Sequence, residues 1–370
     1  MKKLLLYAGV FYFCNMIEVD YLIVGAGLAG IAFAETCLNN GKKIRVFDNN
    51  SQNSTLVAGG LYNPVVLKRF SEVWEAQKQL ETALPFYQTI EKKVNHHLLF
   101  EIPLLRKFTS VEEQNNWFTA SDHPSLVNYL NPTLETYSNE AIPAPYKYGK
   151  VNFTGYLDTA TYKTMYLHYL KKIKALEELA FEYDKIEWEN NRLSYKNYKA
   201  KHIVFAEGFG LHKNPFFNNL PLDGTKGELL LIHAPELKLD KIINASIFIL
   251  PIGNDRYKVG ATYNWEDKTP LPTKDGLTEL TESLKELINC SFTVEEHYAG
   301  IRPTVKNRRP LLGKHFEKEN LFVLNGLGTR GVMFAPFLAQ KLFNYIENNT
   351  ALDKEIDILR IYRKMGVVKS

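Results

Sequence analysis

The chain has 370 residues, 45% of them hydrophobic and 23% charged, which allows sizeable cores and excludes a disordered or fibrous protein. Lysine and arginine exceed aspartate and glutamate by 45 to 41, a mild and dispersed excess that demands neither a nucleic-acid nor an acidic partner. Three cysteines, Cys14, Cys37 and Cys290, have no metal-ligand spacing and form no even-numbered disulfide set. No metal site is expected, and a reducing compartment, read as the cytoplasm, is the natural home.

In chain order, Met1–Asn15 carries Lys2 and Lys3 before the apolar run LLLYAGVFYF, superficially a signal peptide. The run is too short to span a bilayer and no small-x-small cleavage site follows, so stable membrane insertion is not expected. Met16 sits just ahead of the first predicted strand, which favours an upstream start codon over export.

Val19–Asp48, VDYLIVGAGLAGIAFAETCLNNGKKIRVFD, reads as strand, glycine turn, helix, strand and acid. Gly25 permits the tight turn, Gly27 lets backbone approach a pyrophosphate, and Gly30 lets the helix pack close on the strand. The helix from Leu28 to about Asn40 aims its N-terminal N–H groups at that pyrophosphate, and Gly41 ends it. A second strand, Lys43–Phe47, delivers Asp48 at the spacing of a ribose-binding carboxylate, which disfavours NADP. The motif by itself does not separate FAD from NAD.

The next segment, LVAGGLYNPVVLKRF, brings Gly59 and Gly60 backbone close to something, either a turn or the passage toward the reactive end of a cofactor. Ser71 to about Lys93 predicts an amphipathic helix interrupted near Pro85. His96 and His97 precede a strand, LLFEIPLLRKF, and point to opposite faces, which makes them poor co-ligands. Glu112–Pro145 shows no sustained period and reads as irregular connections. Gly155–Ala175 predicts a helix capped by Asp158 or Thr159 with Tyr162, Met165, Tyr166, Tyr169 and Leu170 turned to a core. HIVFAEG ends a buried strand at Ala206, Glu207 and Gly208.

Between Gly227 and Tyr263, the runs GELLLIHAP, ASIFILPIG and RYKVGATY predict an antiparallel sheet distinct from the parallel one. A helix from about Thr273 to Ile288 follows. The strand LFVLNG then feeds a second glycine turn, Gly326, Gly328, Gly331, and an apolar helix from about Val332 to Ile346. No internal repeat is evident.

These pieces in this order resemble the D-amino acid oxidase superfamily of FAD-dependent oxidoreductases, in particular its glycine oxidase and sarcosine oxidase-like branch. The resemblance covers nearly the whole chain from Met16. It rests on VDYLIVGAGLAG, GYLDTATYKTMYLHYL, HIVFAEG, FILPIGNDRYKVGAT, AGIRPTVKNRRPLLG and NGLGTRGVMFAPFLAQKL. The IRP segment ahead of the second glycine turn is the specific part, and it shifts the cofactor from NAD to FAD. The implied fold is α/β, an FAD-binding Rossmann-like domain with a parallel sheet, interleaved with a smaller antiparallel-sheet α+β substrate domain. Its expected limits are 17–85, 150–212 and 298–365 for the first and 86–149 and 213–297 for the second, with 1–15 as an extension.

By the same resemblance Arg302 holds a substrate carboxylate, a role that suits the planar bidentate guanidinium. The alternative is a structural ion pair. Arg330 either raises the flavin's tendency to accept hydride or caps the surface, while Arg308 and Arg309 read as solvated. The residues assigned to the cofactor are Gly25, Ala26, Gly27, Leu28, Ala29, Gly30, Asp48, Gly59, Gly60, Ala206, Gly208, Gly326, Gly328, Thr329, Arg330, Gly331 and Val332. Sarcosine oxidase relatives tether FAD through a cysteine near the arginine segment, where this chain has none, so the FAD is expected to be non-covalent. Phe248 stands where family members often carry a tyrosine near the carboxylate, with Tyr263 or Tyr298 as substitutes.

The implied reaction is oxidation of the C–N bond of an amino acid or N-substituted glycine by hydride transfer to flavin, followed by imine hydrolysis. The stretch AGGLYNPVVLKRF also looks like the flavin domain of a bacterial bifunctional enzyme that removes a carboxymethyl group from a tRNA aminomethyl-uridine. This makes tRNA a possible partner, and the methyltransferase half is expected to be absent. A non-catalytic flavin-binding protein and an NAD dehydrogenase are the other readings. The oligomeric state is not legible.

Overall fold

The computed structural model describes residues 16–189 and 192–368; the Met1–Asn15 extension and Cys14 lie outside them. Its larger sheet has eight strands around a parallel centre. Ile17–Val24 lies between Ile44–Phe47 and Tyr198–Phe205, parallel to both. The C-terminal half of Tyr198–Phe205 pairs in parallel with Leu321–Asn325, while its N-terminal half pairs antiparallel with Arg192–Tyr195. Val24 is in register with both Phe47 and Phe205. Gly25, Asp48 and Ala206 therefore leave the sheet side by side at its carboxyl edge, where ligands of open α/β sheets bind.

The central strands are apolar because both faces are covered. Leu22, Ile23, Ile203 and Val204 are fully buried, and the helices Leu28–Asn39 and Gly331–Asn348 pack against each other within one core. The predicted first helix, late helix and Thr273–Ile288 helix are all present, the last at Lys274–Leu287 with the Thr273 hydroxyl capping Gly276 N–H. Asp158 caps Thr159–Lys172, and Tyr162, Tyr166 and Leu170 are buried as expected.

The second sheet has seven strands in the order Thr293–Arg302, Thr225–His233, Arg256–Gly260, Phe248–Gly253, Ile242–Asn244, Leu104–Lys107, Tyr148–Val151. All neighbours are antiparallel except Ile242–Asn244 with Leu104–Lys107. Its residues alternate between two faces. Leu230, Ile232, Tyr257, Val259 and Ile249 pack with Leu280 and Leu284, whereas Gly227, Leu229, Gly260 and Phe248 line the cleft described below. The strand Thr293–Arg302 runs through the expected boundary at 297/298.

Three local expectations are corrected. The early amphipathic helix is Ala76–Val94, without Ser71–Glu75, and it passes through Pro85 unbroken. Proline inside a helix costs about 3 kcal/mol, offset here by burial of Leu80, Ala83, Tyr87 and Ile90 on either side. The LLFEIPLLRKF strand is two, Leu99–Glu101 and Leu104–Lys107, separated at Ile102–Pro103. Glu112–Pro145 is not wholly irregular, because Val111–Ser121 is a helix capped by Ser110 on Glu113 N–H. No described helix is long and apolar enough to cross a membrane.

Candidate active site

A single cleft of about 1230 Å³ runs between the two sheets, and both glycine turns line it. The early turn is forced by close approach. Gly25 has φ +99°, an ideal Cβ there would lie 2.5 Å from the Ala206 carbonyl oxygen, and one on Gly30 would lie 1.8 Å from the Gly25 carbonyl oxygen. Gly27 starts the helix Leu28–Asn39 without a side-chain cap, and the Leu28 N–H is taken instead by Thr55 Oγ1 at 3.2 Å. The late turn meets the early one directly, since a Cβ on Gly331 would lie 2.8 Å from Leu28 Cδ1. Asn325 donates from Nδ2 to the Gly208 carbonyl at 2.9 Å and so ties two strand ends of the same edge together.

Of the residues expected at the cofactor, Gly25–Ala29, Asp48, Gly59, Gly60, Ala206, Gly208, Gly328, Thr329, Arg330, Gly331 and Val332 line this cleft. Gly30 and Gly326 do not; they shape its wall from behind, Gly326 with φ +76° and a Cβ position 3.0 Å from Val305. Asp48 accepts from Ala26 N–H at 3.0 Å and from Asn50 N–H at 2.7 Å, and it pairs with the buried Lys163 at 3.2 Å. The backbone is bare where a dinucleotide needs it bare: an ideal Cβ on Gly208 or Gly328 would meet no heavy atom within 4 Å. The residues present therefore fit a long anionic dinucleotide.

Arg302 lies in another stretch of the cleft, on the face of the second sheet that Gly227 leaves open. A Cβ on Gly227 would lie 2.0 Å from Arg302 Nη2. Nη1 donates to the Lys226 and Thr262 carbonyls, both at 3.2 Å, and the guanidinium sits 4.5 Å from the Tyr263 ring centroid. No carboxylate pairs with Arg302 among the described residues, which removes the structural ion pair as its explanation there. Burial pushes its pKa down, opposed by Tyr263. A half-buried cation without an anion among the described residues is the electrostatic complement of an anionic ligand.

Arg330 is not a surface cap. Its Nη1 donates to the Asn63 carbonyl at 2.7 Å and Nη2 to the Val65 carbonyl at 3.4 Å, and burial lowers its pKa to about 10. It joins the late turn to the segment after Gly60. Tyr263 lines the cleft and Tyr298 does not. Phe248 lines it beside Gly59, whose Cβ would lie 2.9 Å from the Phe248 ring. Arg308 is exposed as expected, but its guanidinium lies near Tyr263 and Trp265, 5.9 and 5.3 Å from their ring centroids. Arg309 is half-buried, paired with Glu355 and 5.5 Å from the Trp74 ring, rather than free in solvent.

A profile of the family described as FAD dependent oxidoreductase matches residues 20–344. The chain belongs to the FAD dependent oxidoreductase family. It is 23% identical, over 94% of its length, to the tRNA 5-methylaminomethyl-2-thiouridine biosynthesis bifunctional protein MnmC of Marinobacter nauticus, of which it spans 59%. To the glycine oxidase of Bacillus subtilis it is 27% identical over 45% of this chain and 47% of that one. The chain thus aligns with only about half of each of these curated relatives. Its fold matches the crystal structure of glycine oxidase from Geobacillus kaustophilus with a TM-score of 0.74 at 19% identity, covering 91% of this chain and 97% of that one. The L-proline dehydrogenase from P. horikoshii matches with a TM-score of 0.75 at 14% identity, covering 94% and 99%. The second glycine turn, which follows the IRP segment, is part of the same cleft as the first.

Sequence reasoning missed Thr55, Lys163 and Gly227 as cleft residues, and it named Glu207 only as part of a strand end. Glu207 is half-buried, and desolvation raises its pKa against hydrogen bonds from Asn214 and Tyr183. Gly227 carried a readable signal, because a lone glycine inside an apolar strand marks a close approach. Neither Thr55 nor Lys163 had a local one.

Proposed function

We propose that this enzyme oxidises the C–N bond of a carboxylated amine, an amino acid or an N-substituted glycine, with Arg302 as the carboxylate anchor. The observation that carries this is a half-buried guanidinium in the FAD cleft with two backbone carbonyls on Nη1 and no carboxylate partner among the described residues. Nη2 and Nε are left to meet a carboxylate in a planar pair. FAD, when bound, supplies the two-electron acceptor for the hydride that leaves the substrate carbon. The chain's part is positioning. Arg302 fixes the carboxylate, Phe248 and Leu229 form apolar wall, and Arg330 brings a buried positive charge to the late turn. The neutral amine becomes an iminium ion as the hydride departs, and water hydrolyses it to a carbonyl compound and the released amine; no protein nucleophile is required.

In this reading the eight-stranded sheet belongs to the cofactor and the seven-stranded one to the substrate, and the enzyme works in the cytoplasm. The FAD is held non-covalently. This is supported by Cys37, sealed in the core, and by Cys290, which does not line the cleft.

A second reading, oxidation of a glycine-like substituent carried on tRNA, is favoured by the cleft rim. Tyr263 is 47% exposed there, and the Arg308 guanidinium lies near it and Trp265, exposed aromatic and cationic surface of the kind an unstacked base uses. The relative that aligns with 94% of this chain is named for tRNA modification. Replacing Arg302 by Met tests the common anchor. Flavin reduction by the carboxylated substrate should weaken, and unchanged kinetics would remove Arg302 from the site. Salt separates the readings, because affinity for a tRNA substrate falls steeply with salt and affinity for a free amino acid does not.

A further inference from the structure

The helix Thr159–Lys172 turns an aromatic face to the core, yet Lys163, next to fully buried Tyr162, is itself only 2% exposed. A lysine taken out of water needs a charge partner. Its Nζ lies 3.2 Å from Asp48 Oδ2, and each is the other's ion-pair partner among the described residues. The same Asp48 oxygen accepts the Ala26 N–H at 3.0 Å, so the carboxylate touches the glycine turn itself. That turn is where the pyrophosphate of a dinucleotide would lie. An unneutralised carboxylate there would repel the very ligand the turn attracts, and in a cleft of low dielectric such repulsion is strong.

Building on the FAD reading above, we propose that Lys163 is a cofactor-binding residue that neutralises Asp48, allowing the acid to serve the ribose hydroxyls beside a dianionic pyrophosphate. Lys163 thereby sets how strongly the cleft prefers a phosphorylated adenosine over adenosine alone. Two further observations agree. Both residues line the cleft. No other acid competes for Lys163 among the described residues, since Glu35 on the facing helix is engaged by Lys93 and Tyr166.

The test uses flavin-free protein and titrates FAD, ADP and adenosine by quenching of intrinsic fluorescence. In Lys163→Met, FAD and ADP affinity should fall by roughly tenfold or more while adenosine changes little, so the ADP-to-adenosine preference drops. In Asp48→Asn the ribose contact is altered for every ligand alike, but loss of the negative charge should raise the ADP-to-adenosine preference. Lys163→Arg should preserve it. An equal loss for ADP and adenosine in K163M, or a preference that falls in D48N, would overturn the inference. D48N decides even if K163M does not fold. Wild-type protein that takes no FAD would overturn the cofactor reading and this inference together, whereas FAD binding indifferent to Lys163 would overturn only this one.

Discussion

Gly227→Ala is a one-methyl perturbation aimed at Arg302 without touching it. Gly227 has no left-handed φ, so alanine is unstrained in the backbone. Its Cβ would lie 2.0 Å from Nη2, 2.1 Å from Cζ and 2.2 Å from Nη1 of Arg302. Ordinary contact begins near 3.4 Å, so the guanidinium has to retreat by roughly 1.4 Å, the difference from 2.0 Å. That retreat breaks the two 3.2 Å hydrogen bonds to Lys226 and Thr262, each worth about 0.5–1.5 kcal/mol net. Misplacing a positioning group by about 1 Å costs on the order of 10²-fold in rate. The expected outcome is a loss of roughly 10- to 100-fold in kcat/KM for a carboxylated amine, with FAD content unchanged. Anaerobic flavin reduction followed by absorbance measures it, and perturbation of the flavin spectrum by acetate gives a second readout that needs no turnover. Wild-type reduction and wild-type acetate affinity in G227A would refute the carboxylate role of Arg302's present position.

Further outcomes follow from other residues. Tyr263→Ala removes the cation–π contact at 4.5 Å and should raise KM for a carboxylated amine several-fold, by about 0.5–2 kcal/mol in binding, while Tyr263→Phe retains it; equal effects of both variants in steady-state kinetics would contradict this. Lys93 donates twice to Glu35, which is fully buried. Lys93→Met leaves that carboxylate without its cation and should destabilise the fold by about 3–5 kcal/mol in denaturant unfolding, much of it recovered in the double variant with Glu35→Gln. His202 is half-buried between Tyr21 and Phe322, and desolvation lowers its pKa from 6.5 to about 4. The unfolded chain binds the proton near pH 6.5 and the folded chain only near 4, so stability falls as pH drops through that window. The loss reaches about 3 kcal/mol at its foot, and His202→Phe should flatten this limb in unfolding curves taken across that range.

What the sequence revealed and concealed has a physical pattern. The early strand, turn and helix were legible because each depends on neighbours in the chain. A doubly covered strand has to be apolar throughout, and a Cβ 1.8 Å from a carbonyl oxygen leaves glycine as the residue at position 30. The late turn was legible for the same reason. Lys163 was not, because a lysine beside Tyr162 reads as the outer edge of an aromatic stripe. What draws it inward is Asp48, at the end of a strand from another part of the chain. Arg330 was ambiguous on similar grounds, since its partners are the Asn63 and Val65 carbonyls, brought together by the tertiary fold. The Val111–Ser121 helix had its signal, Ser110 followed by Glu113, but Trp117 and Ser121 are its only buried residues, too few to give a period. Pro85 misled because local propensity was outweighed by packing on both sides of it.

The most direct measurement is anaerobic mixing of the FAD-loaded enzyme with matched pairs of amines, each with and without its carboxylate, including N-substituted glycines and modified tRNA. Bleaching of the flavin by at least one carboxylated amine, and much slower bleaching by its decarboxylated twin, is the predicted result. Equal bleaching by both twins, or a flavin that no amine reduces, would contradict it.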